Sequence, residues 1–283
     1  MTLGTQLRHQ PPKTLHQARA LAHKAVQFLS KTAEVNLPAK PDGSHANLGW
    51  DAAHKGFLTQ PLPGRDGDIF IAVSLSPLTL KLVSGGHMKE AFPLDMTSVK
   101  DAGRWLDSHL TNAGLNAASG IDLPYELTHD VNDISIFRSA EEAYALTALS
   151  AWFDLAHATL STFAADNAHL DPGPSAVRCW PHHFDIATYV GLEAGDSEAA
   201  QGIGVGMSPG DESYDQPYFY INPWPQLDAE ELPAPPPPGH WHSEGFVGII
   251  ATANELLTLS DIPSELPKFI DAAFAIGREK LQA

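Results

Sequence analysis

Apolar residues recur along this chain with two distinct periods. Leu15, Ala18, Leu21, Ala22, Ala25, Val26 and Leu29 fall three or four apart, the spacing of one helix face. Thr14 and Gln17 stand at capping-box spacing, where hydroxyl and amide each satisfy a free backbone N–H, so the helix is predicted to start at Thr14. Pro38 and Pro41 end it, and a loop carries Ser44 to Trp50. The period then shortens. Gly56 to Leu62, Asp68 to Leu75, Leu78 to Ser84 and Lys89 to Leu94 read as strands, with Gly64, Gly67, Pro77, Gly85 and Gly86 as turns. Helical spacing returns from Ser98 to Ala113, through Val99, Ala102, Trp105, Leu106 and Leu110, and Gly114 stops it.

Residues 115–137 read as an irregular connection. Ser139 and Glu142 cap the longest predicted helix, whose stripe is Leu146, Leu149, Phe153, Ala156, Leu160 and Phe163. A second strand cluster follows: Ala176 to Val190, Gln201 to Met207, Pro217 to Asn222 and Trp241 to Thr252. The four prolines Pro235 to Pro238 form a stiff polyproline segment between two of its strands. A last helix begins near Ile262. Helix, four strands and helix are thus written twice. The pattern predicts an α+β fold of two antiparallel-sheet halves, each flanked by helices, in an order that would fit an internal duplication. Short connections disfavour parallel βαβ units. Residues 1–13 are expected to be a flexible segment and residues 14–283 a single unit, with sub-halves at about 14–114 and 138–283.

Composition narrows the partners. Of 283 residues, 43% are apolar, enough for a sizeable core. No run approaches the ~18 apolar residues of a membrane span. The 34 Asp and Glu outnumber the 17 Lys and Arg, and a surface of that sign repels phosphate backbones and anionic lipid heads. Neither nucleic acid nor a membrane is expected as partner. Met1 to Lys13 is polar and lacks the apolar run of a signal peptide, and Cys179 is the one cysteine. Both point to a reducing cytoplasm.

Candidate chemistry gathers in three segments. In Trp180-Pro181-His182-His183-Phe184-Asp185, read as a strand, His183 and Asp185 share one face and Trp180 and His182 the other. Pro181 marks an edge or a bulge, and a bulge would turn both histidines the same way. Gly202, Gly204 and Gly206 leave one strand face bare for a ring, a backbone or a ligand, and Ser208 to Glu212 then makes a turn bearing Asp211 and Glu212. Tyr218, Tyr220 and Asn222 share a face of the next strand. In His240-Trp241-His242, both imidazoles point one way, a workable metal pair. His182, His183, His240 and His242 are therefore candidate ligands for a divalent metal. Asp185 and Glu212 are candidate general bases, and Trp180, Asp211, Tyr218, Tyr220 and Trp241 candidate ligand contacts.

Four of these blocks occur in a characteristic order: Trp-Pro-His-His-Phe-Asp, Ser-Pro-Gly-Asp-Glu, Pro-Tyr-Phe-Tyr and His-Trp-His-Ser-Glu-Gly-Phe. In this the chain resembles the bacterial domain-of-unknown-function family 5996, over residues 14–258, with the helix after Ile262 resembling an addition. The resemblance implies no activity.

Small-molecule binding in a pocket built from the three segments is the leading expectation. A metal-dependent hydrolase using the same side chains is the alternative, and a protein-interaction module docking through the proline run is a third. Plainer roles stay open for each residue: backbone-bonded histidines, a solvated acidic turn, aromatic core packing and a buried Cys179. No Gly-x-Ser-x-Gly elbow or His-Glu-x-x-His motif occurs, and the glycines at 202 to 206 precede a turn and a strand, not a helix.

Overall fold

The computed structural model describes residues 3–8, 10–195 and 200–282. Met1, Thr2 and His9, part of the segment expected to be flexible, lie outside them. In chain order come α1 (Leu3–Leu7) and α2 (His16–Asn36), then β1 (Gly49–Asp51), β2 (Gly56–Leu58), β3 (Leu62–Gly64), β4 (Gly67–Leu75), β5 (Leu78–Ser84) and β6 (His87–Pro93). Helices α3 (Val99–Asn112), α4 (His129–Asn132) and α5 (Ala143–Asp166) follow. The second strand set is β7 (Gly173–Pro174), β8 (Arg178–Trp180), β9 (Asp185–Gly191), β10 (Gly202–Ser208), β11 (Tyr218–Trp224), β12 (His240–His242) and β13 (Gly248–Thr252), closed by α6 (Ala253–Leu256) and α7 (Ile262–Leu281). The class is α+β with antiparallel sheets, as the periodicity predicts.

Two compact units divide the chain differently from the expected halves. The N-terminal unit is Thr14–Ala151 with Arg178–Phe184; the C-terminal unit is Met1–Lys13, Trp152–Val177 and Asp185–Ala283.

The sheet of the N-terminal unit has the order β1-β2-β4-β5-β6, with β3 also paired to β4. Ile69, Ile71, Val73 and Leu75 alternate inward along β4, and α2 packs on that strand. The β5–β6 hairpin turns at Gly85 and Gly86, whose φ values of 58° and 74° suit a two-residue turn that twists with its strands. Helix α2 starts two residues later than its capping pattern predicts. Thr14 ends a 3₁₀ turn, Pro12–Thr14, and no side chain caps α2. Ser98 does cap α3, accepting from the Asp101 amide. The expected Ser139 cap is diverted: its hydroxyl donates to Asp95, which also accepts the Ala140 N–H at 2.8 Å.

In the C-terminal unit the strand order is β12-β13-β11-β10-β9-β7. Ile203, Val205, Met207, Phe219 and Ile221 are buried on one face. Helix α7 covers that face: a Cβ on Gly277 would sit 3.2 Å from Ile203 and 3.0 Å from Pro223, so a larger residue there would press on both side chains. Within the N-terminal segment Leu7 is fully buried, and the Arg8 guanidinium donates to the carbonyls of Leu257 and Leu259.

The predicted strand Ala176 to Val190 is not continuous. Pro181 to Phe184 form a turn between β8 and β9, with Phe184 at φ 60° and its N–H donating back to the Trp180 carbonyl. A bulky residue rarely takes that left-handed conformation. Its ring is fully buried in the N-terminal unit, stacked on His23 at 5.0 Å and against Phe57 at 5.7 Å. Burial of that ring, worth ~2 kcal/mol, offsets the backbone strain.

Candidate functional site

Strand register lines up a site on the C-terminal sheet. Ala187, Gly206, Tyr220, Ile250 and His240 are cross-strand partners in one lateral row, so their side chains leave the same face. Gly206 leaves room there, because a Cβ would lie 2.5 Å from the Tyr220 ring. Tyr220 lies across that gap and donates its hydroxyl to Asp185. Gly202 is covered in the same way by Tyr189, 2.2 Å from where its Cβ would be. The bare glycine strip thus accepts this chain's own rings.

The row continues at the β10–β11 turn. Tyr218 donates to Asp211 Oδ2 at 2.5 Å, and Asp211 Oδ1 accepts the amides of Ser213 and Tyr214. Those bonds turn the chain so that the Tyr214 ring stands 5.0 Å from Tyr218 and 5.5 Å from His242. His242 Nε2 lies 2.6 Å from the Glu244 carbonyl, which only accepts, so Nε2 carries the proton. In the neutral ring Nδ1 then accepts from the Tyr214 hydroxyl at 2.9 Å. His240 has the opposite arrangement. Its Nδ1 faces Glu255 Oε1 at 2.8 Å, and its Nε2 lies 3.5 Å from the Tyr214 oxygen. Glu255 is held by a capping box at the start of α6, its other oxygen accepting the Thr252 amide and hydroxyl, each at 2.7 Å.

Beside this network opens a cleft of about 510 Å³, lined by Glu212, Tyr214, Trp241, His242, Ser243 and Glu244. Its field is negative. Burial, then the carboxylates of Glu255, Asp211 and Glu244, push the Tyr214 phenol above its ordinary pKa. Burial and Asp211 do the same to Tyr218. Trp241 is anchored by its indole N–H on the Pro233 carbonyl at 2.7 Å, just ahead of the proline run.

The C-terminal unit therefore holds eight of the predicted residues: Asp185, Asp211, Glu212, Tyr218, Tyr220, His240, Trp241 and His242. Trp180, His182 and His183 belong to the N-terminal unit. There the His182 ring lies 4.2 Å from that of His183, tilted by 49°, beside Tyr125 at 5.6 Å and Trp180 at 6.1 Å. The shared face expected for His183 and Asp185 does not exist, because the turn at Phe184 ends the strand alternation between them. Burial, reinforced by His183, lowers the His182 pKa to about 4. His45 and His54 have their own carboxylates, Glu34 at 2.9 Å and Asp51 at 2.6 Å.

The four-histidine metal set is corrected. Among the described residues no group of three or more His, Cys, Asp or Glu side chains is placed to hold a metal ion. His182 and His183 fall in one unit and His240 and His242 in the other. Both nitrogens of His242 are already committed to Tyr214 and Glu244, and His240 Nδ1 to Glu255. Sequence reading missed Tyr214 and Glu255. The signal for Glu255 was present as Thr252-x-x-Glu255, a capping-box pattern that begins at the last residue of the predicted strand.

Fold and site define an α+β protein with antiparallel sheets and an aromatic, carboxylate-rich cleft on one of them. The chain belongs to the family of unknown function DUF5996, which matches residues 10–282. That match takes in α7, so the last helix is part of the family's fold and not an addition, consistent with its packing on β10 and β11. No curated protein and no solved structure matches the chain.

Proposed function

We propose that this protein binds a small molecule in the cleft beside Tyr214, and that the ligand carries a cationic, hydrogen-bond-donating group. One observation carries the reading: an aromatic wall of Tyr214 and Trp241 faces the same space as the carboxylates of Glu212 and Glu244. Aromatic faces attract cations through their quadrupole, and carboxylates supply the acceptors. Glu212 acts here as an acceptor for the ligand, which replaces the general-base role considered from sequence.

The supporting framework is rigid. Tyr214 is fixed through His242, His240 and Glu255, which are tied in turn to backbone at Glu244 and Thr252. Such a shell holds a binding group in place without cost at the moment of binding.

Titration with tryptamine and with a tetramethylammonium salt, followed by calorimetry and by NMR, tests the proposal. Saturable binding is expected for at least one, weakened about tenfold by Trp241→Ala and by Glu212→Gln with Glu244→Gln. If neither probe saturates at millimolar concentration, or if both variants bind like the parent, the cleft is not a cation site.

A further inference from the structure

A concavity of the N-terminal unit has the opposite character. It encloses about 940 Å³, and one wall is a stripe of α2 formed by Lys24, Gln27, Phe28 and Lys31. These positions are spaced three, four and seven apart, so they share a helix face. The facing wall is the first part of α3, with Ser98, Lys100 and Arg104. The third side comes from the stretch between α3 and α5 and carries Leu123, Leu127, Ile134 and Ile136 beside Ser119, Asn132 and Ser135.

Four of the chain's 17 Lys and Arg line this one pocket, and no Asp or Glu does. In a chain with a net charge of −17 that segregation is unexpected from composition. Among the described residues Lys24 and Lys100 have no ion pair, while Arg104 is bonded to Asp101 on its own helix and Lys31 donates to the Ile121 carbonyl at 2.6 Å. Lys24 is half-buried, and burial followed by the neighbouring Lys31 lowers its pKa. An ammonium held in that setting gains most from an anion.

The wall behind the charges is well anchored. Gln27 donates to the carbonyls of Pro181 and His23, at 2.9 and 3.0 Å, and accepts from the Tyr125 hydroxyl at 2.7 Å. Tyr125 in turn meets Ser30 at 2.8 Å. The turn that carries Pro181 is thereby pinned to α2, and the stripe cannot swing away. Leu123, Leu127 and Ile134 stay half-exposed, and Ile136 is 45% exposed, so the apolar side is incompletely covered.

We propose that this pocket is a second binding site, for an organic anion with an apolar body. The anionic head sits among Lys24, Lys31, Lys100 and Arg104, with the Ser135 hydroxyl at hand, and the body lies on Leu123, Leu127 and Ile134. The site is independent of the Tyr214 cleft, and its ligand is of opposite charge.

Calorimetric titration of the full chain with octyl phosphate, below its micellar concentration, is the test. Saturation is expected. Octanol and inorganic phosphate, each carrying one half of the ligand, should bind at least about tenfold more weakly. Octanoate in the same experiment distinguishes a carboxylate head from a phosphate head, and saturation by either supports the proposal. Lys24→Gln with Lys100→Gln should weaken binding by about tenfold or more, whereas Lys89→Gln with Lys268→Gln, which removes equal charge elsewhere, should change it less than about twofold. Lys100→Gln with Arg104→Gln, both at exposed positions, repeats the comparison without touching α2. Tyr214→Phe should leave binding unchanged, which separates this site from the cleft. The proposal is overturned if neither amphiphile saturates, if octanol binds as well as octyl phosphate, or if both pocket variants keep the parent's affinity.

Discussion

The cleft at Tyr214 and the pocket at Lys24 are built from opposite materials. The first sets Glu212 and Glu244 against aromatic rings; the second sets lysines and an arginine against aliphatic side chains. Both are backed by histidines bonded to carbonyls. In the cleft, His240 and His242 have a carboxylate and a carbonyl as partners. Behind the pocket, His23 is buried and neutral, with its Nε2 on the Pro181 carbonyl at 2.8 Å. The comparison teaches that net charge describes the whole surface and not a site. A chain this acidic still concentrates cations where the fold makes a concavity, and local potential is what a ligand meets.

Acid should have the largest effect, and it acts on the N-terminal unit through His23. Burial lowers the His23 pKa to about 4, against 6.5 when exposed. A lowered histidine pKa means the unfolded chain takes up the proton first. The stabilisation is therefore complete above pH 6.5 and is lost as pH falls from 6.5 toward 4. For His23 the loss is about 3 kcal/mol. Urea unfolding at pH 7 and pH 4.5 should show it, and His23→Gln, whose amide still donates to Pro181, should flatten the dependence. Lowered by burial in the same way, His182 contributes with the same sign.

Next in size is Gly206→Val. The new side chain collides with Tyr220 and with the Ala187 Cβ, 2.8 Å from its first carbon, and should cost about 2 kcal/mol. Thermal melts give the stability. The tryptamine response of the cleft should fall, while octyl phosphate binding in the other unit should persist. Thr252→Ala removes half of the capping box that holds Glu255, at about 1 kcal/mol, and should loosen His240 as seen in its NMR ring signals. The smallest effect runs the other way. Lys24→Met removes a half-buried cation beside Lys31 and should raise the stability of the unliganded protein, by no more than about 0.5 kcal/mol, while weakening octyl phosphate.

Much of the fold was legible because its helices and strands carry clean periods. The α3 cap at Ser98, the glycine stop at Gly114 and the Gly85-Gly86 hairpin follow from local chemistry alone. The errors have one cause. At Phe184 a buried ring stabilises a backbone conformation that local preference disfavours, so a predicted strand became a turn and the partners assigned across it were wrong. At Ser139 a distant carboxylate, Asp95, took the hydroxyl that local spacing had assigned to a cap. The site showed the same division. Tyr218, Tyr220, Trp241 and Asp211 stood out by residue type, whereas Tyr214 and Glu255 matter only through partners 28 and 15 residues away.

From the sequence alone came the class, most of the elements and, by residue type, Asp211, Tyr218, Tyr220 and Trp241, since these depend on neighbours along the chain. Only the tertiary structure decided which histidines meet, and that Lys24, Lys31, Lys100 and Arg104 face a common space. Charges more than 60 residues apart in the chain carry no local mark of their meeting. Strand register and the packing of α2 bring them together, and those are properties of the folded chain.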